Sequence, residues 1–308
     1  MNALTELALI DQKATGLYKK FNVTRTDGSS EPGGKHEYDD YFVLNLTTDK
    51  YALPAIAAYA KACANEFPVL ANDLRTKLRE LRKNEFVTVP ETTLPNGTVV
   101  PSFKVGKYIT GRIDDQLSIS ESAAPWVEIN FFDAKAEAEK AGLKLITELQ
   151  YLALAHNIAS VAANWTSGVV GKGSLYQGLH DDKVEEAQAG DYMPEEESER
   201  RWFELSNGER IIDAAGNCYT WIFDDVQGNE NGIVSSAFSE DSPSITTAPS
   251  PSMENGVGWY PRHGANWSGN ALVRGGFWYS VDLAGVFCLG YDYPGREYGR
   301  IGFRCTLP

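Results

Sequence analysis

Cysteine is scarce in this 308-residue chain: four residues, at positions 63, 218, 288 and 305, with no CxxC pair among them. That number and scatter exclude a disulfide framework of the kind that holds small secreted domains together. They are read as buried structural thiols, and a Cys288–Cys305 bridge stays open. Histidine is as sparse. His36, His156, His180 and His263 lie far apart and none is four residues from another, which removes a helical metal pair and His-based catalysis. His156, on an Ala/Leu pattern, reads as a satisfied structural residue. Basic residues are outnumbered, 28 Lys and Arg against 42 Asp and Glu, giving a formal charge of −14. A binder of nucleic-acid backbone needs clustered cations, so no nucleic-acid partner is expected. No apolar run approaches the roughly 18 residues of a membrane span, so no membrane insertion is expected. The N-terminal stretch lacks a basic start followed by an apolar block and a small-residue cleavage site, so no signal peptide is expected.

What is present divides the chain into two textures. Residues 1–100 hold no Trp, and all seven lie from Trp126 onward. The first part carries a polar, turn-rich stretch, a strand-like run over 41–46, and an Ala-rich helical pattern expected to stop near Pro68. A second amphipathic helix places Leu70, Leu74, Leu78 and Leu81 at helical intervals. Residues 87–100, with Pro90, Pro95 and an Asn96-Gly97 turn signal, read as the linker or hairpin between the parts. The second part, 101–308, opens on a strand in FKVGKYIT. A helix is expected over 133–140, ended by Gly142. Thr147-x-x-Gln150 reads as a capping box for a helix with Leu149, Leu152, Ala155 and Ile158 on one face. Residues 176–201 are acidic and read as a surface loop. Asn207-Gly208 marks a hairpin, and 235–252 is a Ser/Pro-rich loop. Two helices followed by a β-rich region predict an α+β domain behind a smaller, mostly helical N-terminal region.

Motifs for common chemistries are missing. GVVGKGS at Gly168 has two residues between its glycines where a phosphate loop needs four, and Gly173 where it needs Ser or Thr. No Ser stands in a GxSxG elbow. Asp224, Asp225, Asn229 and Asn231 offer hard oxygen ligands, so a calcium ion or a plain Asp/Asn turn fits them. No cofactor and no catalytic residue is expected.

The most informative stretch runs from Phe277 to Ile301, FWYSVDLAGVFCLGYDYPGREYGRI. Seven of its residues are aromatic, and it has no Lys and no Gln. Gly, Pro, Asp and Arg are scattered among the rings, whereas a core strand would show β-branched residues and clean alternation. Combining sites of antibodies favour this mixture, because Tyr gives broad amphipathic contact at small entropic cost while small residues adapt. The stretch is therefore read as an exposed binding surface. Trp267, Trp278 and Phe303 are read as core, and AGVFCL as a buried strand.

The segment GWYPRHGANWSGNALVRGGFW, then AGVFCL, then IGFRC, resembles the C-terminal half of a C-type lectin domain of the formylglycine-generating-enzyme type. In particular it resembles the variable proteins of diversity-generating retroelements, and FKVGKY, PWVEINFFDAKAEAEKAGLKLITE and LSNGERIIDAAGNCYTWIFDD precede it in the expected order. In such families adenines in a template are altered on copying, so that Asn codons scatter. The resemblance implies a fixed frame of Arg274, Gly275, Gly276, Trp278, 284–289 and 301–305. It implies a variable region over about 277–300 with ligand-binding positions at Phe277, Tyr279, Ser280, Val281, Asp282, Leu283, Gly290, Tyr291, Asp292, Tyr293, Pro294, Gly295, Arg296, Tyr298, Gly299 and Arg300. An Asn codon ending in C, changed at its first two bases, reaches every residue type in that set. It never reaches Lys, Gln, Glu, Met or Trp, and Glu297 alone falls outside the rule. The resemblance further implies a protein ligand on a host or other cell, a virus or prophage setting, and a virion-associated or cytoplasmic location. A monomer is expected. Alternatives are a non-diversified virion assembly protein and a formylglycine-generating-type enzyme, the latter weakened because Cys288 and Cys305 are not close in sequence.

Overall fold

The computed structural model describes residues 21–46, 49, 51–81, 84–113 and 115–308, and the chain divides into two units, Met1–Leu81 and Arg82–Pro308. In the first unit, helix α1 (Ala52–Ala62) packs on helix α2 (Pro68–Leu81), with Ala52, Ala60, Ala71 and Leu78 buried. Pro68 opens α2 at its first position, where its missing N–H costs nothing. The apolar stripe of α2 turns inward on Ala71 and Leu78 and leaves Leu70 exposed. The strand expected over 41–46 does not form. No described strand lies beside it, and Phe42 is 75% exposed; an unpaired strand has no ladder to satisfy its backbone.

The second unit contains β1 (Phe86–Val89), β2 (Thr92–Thr93), β3 (Val99–Val100), β4 (Phe103–Gly106), β5 (Gly111–Ile113) and β6 (Gln116–Ser118). Helix α3 (Phe131–Lys140), β7 (Lys144–Leu145) and helix α4 (Glu148–Ala159) follow. Then come β8 (Trp202–Glu204), β9 (Arg210–Ile212), β10 (Tyr219–Ile222), short helix α5 (Pro243–Thr246), β11 (Ala271–Arg274), β12 (Leu289–Asp292), β13 (Ile301–Phe303) and β14 (Cys305–Thr306). One four-stranded sheet is ordered β1-β4-β14-β7 and is antiparallel throughout. The other is ordered β12-β11-β10-β13, and its β10–β13 pair is parallel. Hairpins β2–β3, β5–β6 and β8–β9 complete the β structure. The architecture is α+β. Among the described residues no helix is long and apolar enough to cross a membrane.

The boundary expected at residue 100 falls instead after Leu81. The reason is α4. Its Thr147 side chain accepts from the Gln150 N–H while the Gln150 side chain accepts from the Thr147 N–H, so the expected capping box is formed. The single apolar face expected of this helix is not what is seen: nine of its residues are buried, around the whole circumference. Tyr151, Leu154 and Ile158 enter the main core, while Leu152 and Ala153 meet Leu94 and Val100 of the β2–β3 segment. Residues 86–100 are thus a cover for α4 and an edge of its sheet. Other local signals act as read. Gly97 and Gly208 turn their hairpins at φ 87° and 83°, and Gly142 follows α3 at φ 72°. Helix α3 starts two residues before the expected Asp133, because Asn130 caps it by accepting from the Asp133 N–H.

Two buried arginines tie the sheets together. Arg304 stands between β13 and β14, where the chain passes from one sheet to the other. It donates to the carbonyls of Gly106, Ile212 and Asp213 at 2.6, 2.7 and 2.8 Å. Arg274, at the end of β11, forms a fork-to-fork ion pair with Glu148, the first residue of α4, and both side chains are fully buried. Its remaining N–H groups reach the Phe287 and Ser244 carbonyls. Glu148 also gains from the positive end of the helix dipole.

Removing one partner of the Arg274–Glu148 pair leaves an uncompensated buried charge. Glu148→Leu is expected to cost about 3–5 kcal/mol in urea unfolding, with much of it regained in the Glu148→Leu, Arg274→Met double variant; an additive double loss would contradict a paired charge. Beside the pair, burial and the Glu148 charge push the Asp224 carboxyl up to about 6. A raised folded pKa means that the protonated form is favoured by folding, so the stabilisation is full below the unfolded value near 3.8 and lost as pH rises through 6. Asp224→Asn removes the titration. Its stability relative to wild type is expected to grow by on the order of 2 kcal/mol from pH 4.5 to 7.5. A pH-independent offset between the two would overturn this.

Candidate functional site

The segment between the two buried arginines is built outward from a rigid base. After Arg274 the chain turns through Gly275 and Gly276 at φ 96° and 88°. A Cβ on Gly276 would stand 2.7 Å from Ala284 Cα, so this turn closes only on glycine. Residues 277–283 then loop outward, ending in a single 3-10 turn over Val281–Leu283. Residues 284–289 return as a buried plug. They are not the strand that was expected: Gly285 backs onto Val257 so closely that a Cβ would lie 2.4 Å away, and only Leu289 enters β12. A last loop, 293–300, leads into β13.

Of the expected binding positions, Tyr279, Val281, Asp282, Leu283, Tyr291, Tyr293, Gly295, Arg296 and Arg300 are exposed. Phe277, Gly290, Asp292, Tyr298 and Gly299 are half-buried. Ser280 and Pro294 are buried and make no contact surface. The Ser280 hydroxyl accepts from the Phe277 N–H at 2.9 Å and holds the first loop. The Pro294 carbonyl accepts from the Phe131 N–H at 3.0 Å, pinning the second loop to the start of α3. Trp278, expected in the core, is half-buried and faces a groove. Trp267 and Phe303 are buried as read. Glu297 is exposed, and its carboxylate accepts from the Asn130 amide at 3.3 Å.

Apart from Tyr293, the exposed and half-buried rings of 277–300 fall into two lobes. In the first, Phe277, Trp278, Tyr279, Tyr298 and Arg300 line a groove of about 510 Å³ together with Asp182 and Glu185. Phe277 rests on Tyr219, with centroids 5.5 Å apart. The Arg300 guanidinium lies 5.2 Å from the Phe277 ring and 4.9 Å from the Tyr298 ring, and Arg296 donates to the Tyr298 hydroxyl at 2.6 Å. In the second lobe Tyr291 packs on Trp267 at 4.5 Å, and Trp267 stacks with the partly exposed Trp259 at 6.3 Å. Trp259 is tied by backbone bonds to Leu283 and Leu289, on either side of the plug.

Four contributors were not foreseen as such: Trp278, Trp259, Asp182 and Glu185. The acidic loop of 176–201 is no free surface loop. Its end is buried: Arg201 forms a two-pronged pair with Asp213 at 2.8 and 2.6 Å, and Arg200 sits 3.6 Å from the Tyr176 ring and 3.7 Å from the Trp202 ring. Its middle is fastened to the recognition segment. Asp182 N–H donates to the Trp278 carbonyl at 2.9 Å and Val281 N–H to the His180 carbonyl at 2.8 Å. Asn217 joins the two, exchanging hydrogen bonds with the Gln188 backbone and accepting from the Trp278 N–H through its carbonyl.

Other candidate chemistry is absorbed by structure. Cys218, Cys288 and Cys305 are free and buried, with each thiol pushed up to about 12, first by burial. Such thiols are neutral and inert at ordinary pH. His156 is not satisfied as expected: its Nε2 is buried without a partner, and burial and then Arg274 lower it to about 4, so it is a neutral ring against Phe287. The Asp224 carboxylate accepts from the Val226 and Gln227 N–H groups, Asp225 from Leu149, and Asn229 from Asn231 and Ile233. Those oxygens cap turns. Among the described residues no group of three or more His, Cys, Asp or Glu stands where a metal ion could be held.

No family model and no curated protein matches the chain. Among solved structures it is similar to Treponema denticola variable protein 1, with 13% identity over 73% of this chain and 92% of that one, at a TM-score of 0.38. It is similar also to PvdO from Pseudomonas aeruginosa, with 13% identity over 72% and 91%, at a TM-score of 0.34. The U1 variant of the Major Tropism Determinant matches at 15% identity over 66% of this chain, which spans half of that longer one, at a TM-score of 0.33. Similarities this distant leave family and function to be argued from the chain's own residues.

Proposed function

We propose that the chain is a ligand-binding protein displaying a diversified recognition face on a C-type lectin scaffold of the formylglycine-generating-enzyme type. It acts as the variable protein of a diversity-generating retroelement, is associated with a virion, and binds a protein on a cell surface as a monomer. One observation carries this reading. Of the sixteen positions proposed as exchangeable, nine are exposed and five half-buried, while Arg274, Gly275, Gly276 and Arg304, which flank the loops of 277–300, are buried. Exchangeable chemistry and structural necessity occupy different residues. Exposed Tyr279, Tyr291 and Tyr293 supply rigid amphipathic contact area, and central anchors of this kind are each worth about 2 kcal/mol or more in an interface. The inert, buried thiols support binding over an oxidative enzyme.

The separation of roles has a direct expectation. Tyr279→Ser, Tyr293→Asp and Arg300→Ser should each leave unfolding stability within about 0.5 kcal/mol of wild type. Gly276→Ala should cost at least about 2 kcal/mol, because its Cβ has no room and its φ is positive. Equal costs at the two kinds of position would argue for an ordinary core. The genetic reading is checked by sequencing this gene across clonal populations of its source genome. Substitutions should scatter over 277, 279–283, 290–296 and 298–300 and spare 274–276 and 301–305; a uniform segment would sink the diversification reading.

A further inference from the structure

We infer that the groove of the first lobe takes a cationic side chain, Lys or Arg, of the protein ligand, and that residues outside the variable region impose this preference. The inference rests on the recognition face proposed above and names the chemistry of its partner. The groove is lined by the rings of Phe277, Trp278, Tyr279 and Tyr298. Aromatic faces carry negative quadrupole potential and attract a cation placed over them. Arg300 already uses that property, lying over Phe277 and Tyr298 from one side of the groove.

Charge at the groove points the same way. Asp182 and Glu185 form its lip, both exposed. A third carboxylate, Glu128, lies behind the wall: its Oε1 is 3.9 Å from where a Cβ on Gly299 would stand, and its N–H donates to the Tyr298 carbonyl. Among the described residues the ion pairs of the 176–201 loop are those of Lys183 with Asp181 and with Glu196, of Arg201 with Asp213 and of the His180 ring with Glu199, and none involves Asp182 or Glu185. Two carboxylates at the lip and one behind the wall thus stand against the guanidinium of Arg300 in the groove and that of Arg296 on the Tyr298 ring. Apolar walls with an uncompensated acidic lip fit the stem and head of Lys or Arg, the stem against the rings and the charge at the mouth. The −14 formal charge of the whole chain steers such a partner from a distance.

None of the three carboxylates belongs to 277–300. The lip is fixed in place by the Asp182–Trp278 backbone bond, which no side-chain exchange at 279–283 removes, and by the Val281–His180 backbone bond, which among such exchanges only proline at 281 removes. Whatever residues the variable positions hold, the lip stays acidic. The face is biased toward basic ligands before any diversification acts.

The probe is a phage-displayed library of random dodecapeptides panned against three immobilised full-length chains: wild type, Asp182→Asn with Glu185→Gln, and Tyr279→Ala with Tyr298→Ala. Asn tolerates the positive φ of 56° at position 182, so the first variant keeps the fold, which a thermal melt checks. The wild type is expected to enrich peptides with a Lys or Arg at least about fivefold over library composition, and the lip variant to lose that enrichment while still recovering peptides. Neutral or acidic peptides from the wild type, or the same cation enrichment from the lip variant, would overturn the inference and leave the recognition face standing. Recovery from the wild type no better than from the Tyr279→Ala, Tyr298→Ala chain would overturn both.

Discussion

The Glu148–Arg274 ion pair is the constraint on which the rest depends. It joins the first residue of the most buried helix to the last residue of β11, one step before the recognition segment leaves the sheet. Taking both charges out of water is expensive, and an apolar pair of similar volume would serve stability as well or better. What the pair adds is direction. A guanidinium fork satisfied by a carboxylate and two carbonyls has one arrangement, where apolar side chains would have several. Arg304 does the same at the far end of the segment, with three carbonyls from two separate strands and their flanking turns. The exposed loops between these two residues leave from a frame whose ends are each fixed by a buried, fully directed contact.

The local signals of this fold are legible in the sequence because short-range geometry decides them. Thr147 with Gln150 makes its capping box, and Gly97, Gly142 and Gly208 stand where a left-handed backbone is needed. What misleads is decided at long range. The β2–β3 segment looks like a linker, since nothing local reveals that Leu94 and Val100 will cover the outer face of α4. Tyr41 to Leu46 has the composition of a strand and no described partner to pair with. At the recognition segment, composition separates loop from plug at most positions. Ser280 and Pro294 escape it because each is buried through a contact that its residue type does not announce.

Asp182 and Glu185 escape for a different reason. An acidic loop is the ordinary sequence of a solvated surface, and only the fold brings this one within a hydrogen bond of Trp278. Trp259 is similar. It lies ahead of β11 in the GWYPRHGANWSG segment, outside 277–300, yet it is partly exposed and belongs to the stack under Tyr291. The surface is therefore a composite of exposed residues of 277–300 with an acidic lip and a tryptophan stack from other parts of the chain.

The place of β14 has a consequence for how the chain comes into being. It is an inner strand, lying between β4 and β7, while β13 just before it pairs with β10. During synthesis, β4 and β7 wait without the strand that separates them until residues 305–306 emerge. Such pairing between distant parts of a chain is slow, since loop closure precedes the contacts that reward it. Neither sheet is complete in a product that stops short of residue 301. A shortened copy thus lacks a strand in each sheet, and folding itself serves as the test that the segment from 277 to 300 has been translated in full.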